Sequence, residues 1–551
     1  MGKMEDMLQM HRSISKFVLW FLPFLLISMV YLQVVRFEFT NWDDESNISK
    51  NPFLQKLSFE NIRAILSPGD MPGEQLYIPF TYFSYLVESS IFGMKSSVMH
   101  FDNLLLHIIN SMLVFSLAMI FLRNKLASLL CALLFALHPL QVEAVAWCMG
   151  RKDLLMALFS LLFLLKFSDF AATRSKKAYM LSLVFFFIAV FSKPSVFVLP
   201  LLLPAFFWYY DRKIEKEDII RFLPFFVISA IACLINSKLD MNTFGHEMKF
   251  VMFRIVFIPV VAEDWLSRIL LLQDPIAYYS WYDYYDGTRI SICGLLILLS
   301  FVTVGVFAYI RRLKIVFIGI LLSLVSLLPA AMLVSWSFRD FITADRYGYF
   351  PMIGIFLITA SALTATPRKH LKLILASALS AFTIFAAWKS YHQVGIWRNS
   401  ETLWSSVAKA RPDSFIAHYN LGNYYFKAKY DLKSAESHYR KANWITPDSD
   451  AWFNTGIICE LTDRKEESAI CYSRAFVLNP GSAYVLKKFA LACYARGELE
   501  KALRCFLRLT ELAPDSPDAY LYCARIFDMK GQKEMAAQAF MCYEKLKKQN
   551  K

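Results

Sequence analysis

The stretch VMFRIVFIPVVAEDWLSRILLLQ, residues 251–273, is long enough to cross a bilayer but is interrupted by Arg254, Glu263, Asp264 and Arg268. Charges at the centre of a span are expensive in hydrocarbon, so the segment reads as re-entrant or as lying at the interface. That choice fixes the side of everything downstream. Without it, eleven apolar segments remain, near 17–35, 104–122, 126–142, 153–170, 178–192, 195–210, 222–237, 290–310, 315–334, 348–366 and 372–389. Several are shorter than the roughly twenty residues a helix needs to cross, so their limits are soft. With the N-terminus in the cytoplasm, this count puts Arg123 and Lys125, TRSKK, DRKIEKEDIIR, RRLK and PRKHLK on one side. The positive-inside rule asks for that arrangement. Counting 251–273 as a twelfth span would move RRLK and PRKHLK to the other side.

Composition agrees with a chain dissolved mostly in lipid. Of its 551 residues 57% are hydrophobic and 49 are Phe, and the mean hydropathy is +0.40. Soluble proteins lie near about 45–50% apolar. Polar residues concentrate after about Gly395, which divides the chain into a membrane part, 1–394, and a water-soluble tail, 395–551. The net charge of +14 fits basic loops on one membrane face. No basic stripe is interleaved with aromatics in a soluble domain, so nucleic acid is not an expected partner. Ten cysteines occur without a CxxC pair, which gives no zinc ribbon and no thioredoxin-type site. The basic start followed by an apolar run from Phe17 to Val35, without a small-residue cleavage motif, reads as an uncleaved anchor.

The tail repeats. Pro412, Pro447, Pro480 and Pro514 recur at intervals of 35, 33 and 34 residues, the tetratricopeptide period, and each proline closes a second helix. Gly497, Ala502, Phe506 and Pro514 stand at the spacing of this repeat, as do Gly531, Ala536 and Phe540, while HYNLGNYYF supplies Leu421, Gly422 and Tyr425. About four repeats are expected, forming an α-solenoid that docks a peptide or protein. Cys459 and Cys493 are one period apart, as are Cys471 and Cys505, which suits small packing residues; an extracytoplasmic tail also leaves disulfides open.

The eleven-span count gathers several polar features on the extracytoplasmic side. Asp43 and Asp44 follow the first span in FTNWDDESN; ALHPLQVEAVAWCMGRKDLL holds His138, Glu143, Arg151 and Asp153. FSKPSV puts Lys193 in a tight turn, and SFRDFITADRYGYFP adds Arg339, Asp345, Arg346 and Tyr349. Each has a plain reading: loop polarity for the acids, a helix end for His138, a snorkelling lysine, an ion pair of Arg151 with Asp153. Together they line one face, as residues on a substrate path do. The chemistry that suits the set is glycosyl transfer from a lipid-linked phosphosugar. Cations such as Lys193 and Arg346 would hold the phosphate, and Asp43 or Asp44 would take the proton of an acceptor hydroxyl. No cofactor is required by the residues; the paired acids could hold a divalent cation, although no histidine–carboxylate set at metal spacing accompanies them.

NWDDESNISKNP, HFDNLLLHIIN, LFALHPLQVEAVAWCMGRKDLLMALF, FSKPS and DRYGYFP, followed by tetratricopeptide repeats, resemble the transmembrane and tetratricopeptide repeat-containing O-mannosyltransferases. The resemblance implies an all-α fold, a polytopic GT-C-type glycosyltransferase domain followed by the repeat solenoid. It implies Asp43 and Asp44 as the catalytic motif, with Lys193 and Arg346 at the donor phosphate; His138, Glu143, Arg151 and Tyr349 join them from the outer-face set as substrate-binding candidates. It further implies a polyprenyl-phosphate sugar donor, mannose by analogy, inversion at the anomeric carbon, and a Ser/Thr hydroxyl of a protein acceptor. The chain departs from the family pattern at YIPF, where Ile78 stands in place of an arginine. Two other readings fit the same sequence: a transferase with a lipid or glycan acceptor, and a non-catalytic anchor presenting a repeat scaffold. The expected setting is a bacterial inner membrane with periplasmic repeats, or an endoplasmic reticulum with luminal ones.

Overall fold

A computed structural model describes residues 21–71, 76–239, 248–280, 292–332 and 341–549. The start of the expected anchor and Arg339 lie outside them. The described chain is helical apart from one two-residue and one three-residue strand, and it divides into two compact units, Met1–Leu403 and Trp404–Lys551.

In the first unit most of the expected spans fall on helices among the described residues, whereas 126–142 is bent and 195–210 is made of 3-10 turns and a short helix. Among the described residues, five helices are long and apolar enough to cross a membrane: Ser96–Leu122, Cys148–Thr173, Lys216–Leu239, Ile292–Ile310 and Lys369–Arg398. Lys125–Ala136 and Pro139–Ala146 form a pair bent by 56°, a sixth if counted as one span. Phe21–Arg36, Pro194–Tyr209, Lys314–Pro329 and Met352–Ala365 are apolar but shorter. Polar caps start several of these helices: the Asn124 and Ser175 side chains accept from the amides of Ala127 and Ala178.

Ion pairs place three of the basic loops at one end of the bundle. Arg174 of TRSKK pairs with Asp218 of the 211–221 loop, and Asp211 of that loop pairs with Arg312 and Lys314 of RRLK. Helix Lys216–Leu239 leaves this end and helix Ile292–Ile310 returns to it, which sets Leu239 and Ile292 away from it. Residues 248–271 within it form one continuous helix, not a re-entrant loop. A Cβ on Gly294 would strike the carbonyl of Pro259, so only glycine permits this close crossing.

The second unit is built from four helix pairs: Phe415–Tyr424 with Leu432–Ile445, Ser449–Leu461 with Lys465–Leu478, Ala483–Ala495 with Leu499–Leu512, and Pro517–Met529 with Lys533–Gln549. The repeat spacing is thus expressed as antiparallel pairs. Cys459, Cys471, Cys493 and Cys505 are buried free thiols, consistent with small packing residues. A Cβ on Gly456 would lie 2.7 Å from the ring of Tyr472. Gly456→Val is therefore expected to cost about 1–3 kcal/mol by overpacking, read as a lower thermal midpoint of the purified chain.

Candidate functional site

Between the bend at Leu137 and the start of helix Arg151–Thr173, the chain runs through short turns Pro139–Gln141, Val142–Ala146 and Cys148–Gly150, every residue of it buried. Broken helix leaves carbonyls without partners, and inside an apolar bundle side chains must satisfy them. Helix Ser96–Leu122 does this with a polar stripe. Asn103 donates to the carbonyls of Trp147 (2.9 Å) and Cys148 (3.2 Å), His107 Nε2 to that of Ala136 (3.0 Å), and Asn110 to that of Leu154 (3.0 Å). Tyr85 and Ser390 hydroxyls donate to the carbonyls of Cys148 and Leu137. The stretch HFDNLLLHIIN thus serves the fold, with Asn103, His107 and Asn110 on one helix face because they lie four and three residues apart. That spacing was the available signal for them.

The turns present their ends to the first loop. Asp44 is fully buried; its Oδ2 accepts from the amide (3.0 Å) and hydroxyl (2.9 Å) of Thr40, and its Oδ1 from the amide of Met149 (3.0 Å). Burial pushes this carboxyl up to about 7 against the pull of those donors. Asp43, next to it, is partly exposed, and its carboxylate has no hydrogen-bond or ion-pair partner among the described residues. One acid of the pair ties the loop down; the other faces outward.

Arg346 and Lys193 come together around Tyr347, whose ring lies 5.2 Å from each charge. Glu143 pairs with the Arg346 guanidinium and also accepts from its backbone amide at 2.9 Å. Asp153 pairs with Lys193 at 2.5 Å. Burial lowers the proton affinity of Lys193, and Asp153 opposes that. Asp345 fixes the turn Asp345–Gly348: it accepts from Arg268 (3.0 Å) and from the hydroxyl of Tyr279 (2.9 Å). Tyr279 pairs with Thr343 in a two-stranded antiparallel ladder. Arg268, one of the charges that kept 251–273 out of the span count, therefore serves this turn.

Three residues expected around a substrate are instead used inside the fold. The Arg151 guanidinium is buried, paired with Glu88 and donating to Asn103 Oδ1 (3.0 Å) and the Met99 carbonyl (2.9 Å). Its partner is Glu88, not Asp153. His138 spends both nitrogens: Nε2 donates to the Ile269 carbonyl (3.1 Å) and Nδ1 accepts from the Leu140 amide (3.2 Å). Tyr349 is buried, its hydroxyl bonded to His107 Nδ1 (2.7 Å) and Asn110 (3.2 Å). Because His107 Nε2 donates to a carbonyl, Nδ1 is the acceptor and the tyrosine its donor. Lys152, Trp147 and Tyr347 were not anticipated and lie with Lys193 and Arg346.

For a divalent cation, Asp43 offers free oxygens, whereas both oxygens of Asp44 are already engaged. Among the described residues, one group of three potential ligands lies close enough to share an ion: Glu436, Cys459 and Glu467 in the repeat unit. Arg440 and Arg464 pair with both of those carboxylates, so the group is an ion-pair network.

A tetratricopeptide repeat profile matches residues 488–541. The chain is 22% identical to the human protein O-mannosyl-transferase TMTC1, over 67% of this chain and 48% of that protein. It is 23% identical to the Caenorhabditis elegans protein O-mannosyl-transferase F38B6.6, over 71% of this chain and 58% of that one. Mouse TMTC3, also named a protein O-mannosyl-transferase, is 21% identical over 81% of this chain and 54% of its own length. The chain thus spans about half the length of the curated relatives it matches. Among solved structures, the crystal structure of MamA aligns with 27% of this chain and 86% of its own at 21% identity, with a TM-score of 0.25. The chain is an all-α, membrane-type helical protein with a tetratricopeptide repeat tail, similar in sequence to the TMTC-named protein O-mannosyl-transferases.

Proposed function

We propose that this chain is an integral membrane glycosyltransferase that moves a sugar, mannose by analogy with the relatives' names, from a polyprenyl-phosphate donor to a Ser/Thr hydroxyl of a protein. The observation that carries the reading is the split within the acidic pair: Asp44 locked by three donors, Asp43 presented with its carboxylate unengaged. Asp43 takes the acceptor proton as the hydroxyl oxygen bonds to the anomeric carbon. The bond from that carbon to the phosphate oxygen breaks, and polyprenyl phosphate leaves with the electron pair. Attack from the face opposite the phosphate inverts the centre. Lys193 and Arg346, held by Asp153 and Glu143, face the charge that grows on the leaving phosphate. A divalent cation at Asp43 would add positive charge beside the acceptor. The repeats dock the acceptor polypeptide on the extracytoplasmic face.

The test is incubation of purified full-length chain with polyprenyl-phosphate mannose and candidate acceptor proteins. The expected result is a hexose increment on Ser or Thr, read by mass spectrometry. A sugar found on lipid or glycan alone would replace the acceptor in this reading, and no transfer from any polyprenyl-phosphate sugar would remove it. Deletion of 404–551 is expected to depress transfer to protein more than hydrolysis of the donor; equal loss of both would argue against docking by the repeats.

A further inference from the structure

Lys152 lies beside the cations already described and differs from both. It is only 9% exposed, yet its ammonium has no hydrogen-bond acceptor and no carboxylate within the 4.0 Å of an ion pair among the described residues. Its one close contact is the face of Trp147, 5.1 Å from the ring centre, and Arg346 stands over the same ring at 5.0 Å. The buried indole N–H of Trp147 has no acceptor. The charges that act on Lys152 are Arg346, Asp43, Lys193 and Asp153. Glu143 neutralises Arg346 and Asp153 neutralises Lys193. Lys152 is left as the cation of the cluster without an ion-pair partner, and Asp43 is the remaining carboxylate that acts on it.

The Lys152 nitrogen is not among the buried polar atoms that lack a partner, so the ammonium reaches solvent, where an anion can approach it and supply the counter-charge. We infer that Lys152 is the anion-binding residue of this site and that its ligand is a phosphate monoester or diester, whose oxygens accept from the ammonium. The inference rests on the proposed donor, and it adds a division of labour. Arg346 and Lys193 are pre-paired, whereas Lys152 keeps an ammonium that no carboxylate engages and that can bind a phosphate oxygen. It also puts the leaving group within the electrostatic reach of Asp43.

The experiment uses purified full-length chain in detergent, with three probes: polyprenyl monophosphate, the matching polyprenol, and inorganic phosphate. Binding is read by ligand-induced thermal shift and native mass spectrometry. The wild type is expected to bind polyprenyl phosphate and not to respond to polyprenol in the same range. Lys152→Met is expected to weaken polyprenyl phosphate by at least about tenfold, the loss of one charge-assisted hydrogen bond, and Lys152→Arg to retain most of the affinity. Without ligand, Lys152→Met is expected to melt at or above the wild-type temperature, because it removes a desolvated charge and strands no partner. A lysine that only served the fold, by swinging to the unused Oδ2 of Asp153, would instead lower it. Binding by Lys152→Met within about twofold of wild type, or a lowered melting temperature of the ligand-free variant, overturns the assignment. Lys152-dependent binding of inorganic phosphate without any of polyprenyl phosphate would keep the anion site and remove the lipid-linked donor. Binding of polyprenyl phosphate that ignores Lys152 does the reverse.

Discussion

Asp43→Asn is expected to lower sugar transfer by about 10²–10⁴-fold, the range for loss of a positioned general base, while leaving folding unchanged and binding of polyprenyl phosphate no weaker, because the lost charge acts on Lys152. The amide keeps the size of the carboxylate and cannot accept a proton. Nothing in the described fold leans on the Asp43 side chain, so the variant is expected to purify and melt like the wild type. Asp44→Asn should behave differently. One carboxylate oxygen would become an NH₂ group facing a donor, either Thr40 or the Met149 amide, because both oxygens are occupied. That variant is expected to melt lower and to lose activity together with loop order. Steady-state transfer and thermal unfolding measured on the two variants separate the roles. Full activity of Asp43→Asn, or wild-type stability of Asp44→Asn with activity abolished, would exchange them.

The second large effect is on stability. Arg151→Met is expected to destabilise the first unit by about 3–5 kcal/mol, because it leaves Glu88 buried with no compensating charge. The guanidinium also holds the Met99 carbonyl and Asn103, and it lies over the ring of Tyr85 at 4.5 Å. Replacing both partners with apolar residues, Glu88→Leu with Arg151→Met, should recover much of the loss, since the stranded charge goes too. Thermal unfolding of the single and double variants in detergent measures this. A single variant that melts like the wild type and fails only in donor binding would return Arg151 to the substrate.

Much of the architecture was legible because it is written in local terms. Apolar runs, basic loops and a proline period of 33 to 35 residues report on helices, ends and repeats without reference to distant residues. The exclusion of 251–273 was argued from charge cost alone, and the ion pairs from Asp211 to Arg312 and Lys314 bring two of the basic loops together. The candidate site was legible only as a neighbourhood. His138, Arg151 and Tyr349 have the right chemistry for a substrate path, yet the fold spends them on carbonyls, on Glu88 and on His107.

What was readable from the sequence by itself is which segments are helical and where the repeats lie, with two adjacent acids and a set of cations as candidates for one site. Only the tertiary structure decided the division of roles within each adjacent pair. Asp43 and Asp44 are alike until Met149, 105 residues away along the chain, donates its amide to one of them. Arg151 and Lys152 are adjacent on a helix, so their side chains leave it about 100° apart. One reaches Glu88 and is neutralised, and the other reaches Trp147 and is not. Residue type and spacing are local properties, whereas burial and pairing depend on partners brought in from elsewhere. For these two pairs, burial and pairing separate the residue engaged by the fold from the one to which the proposed function assigns a role.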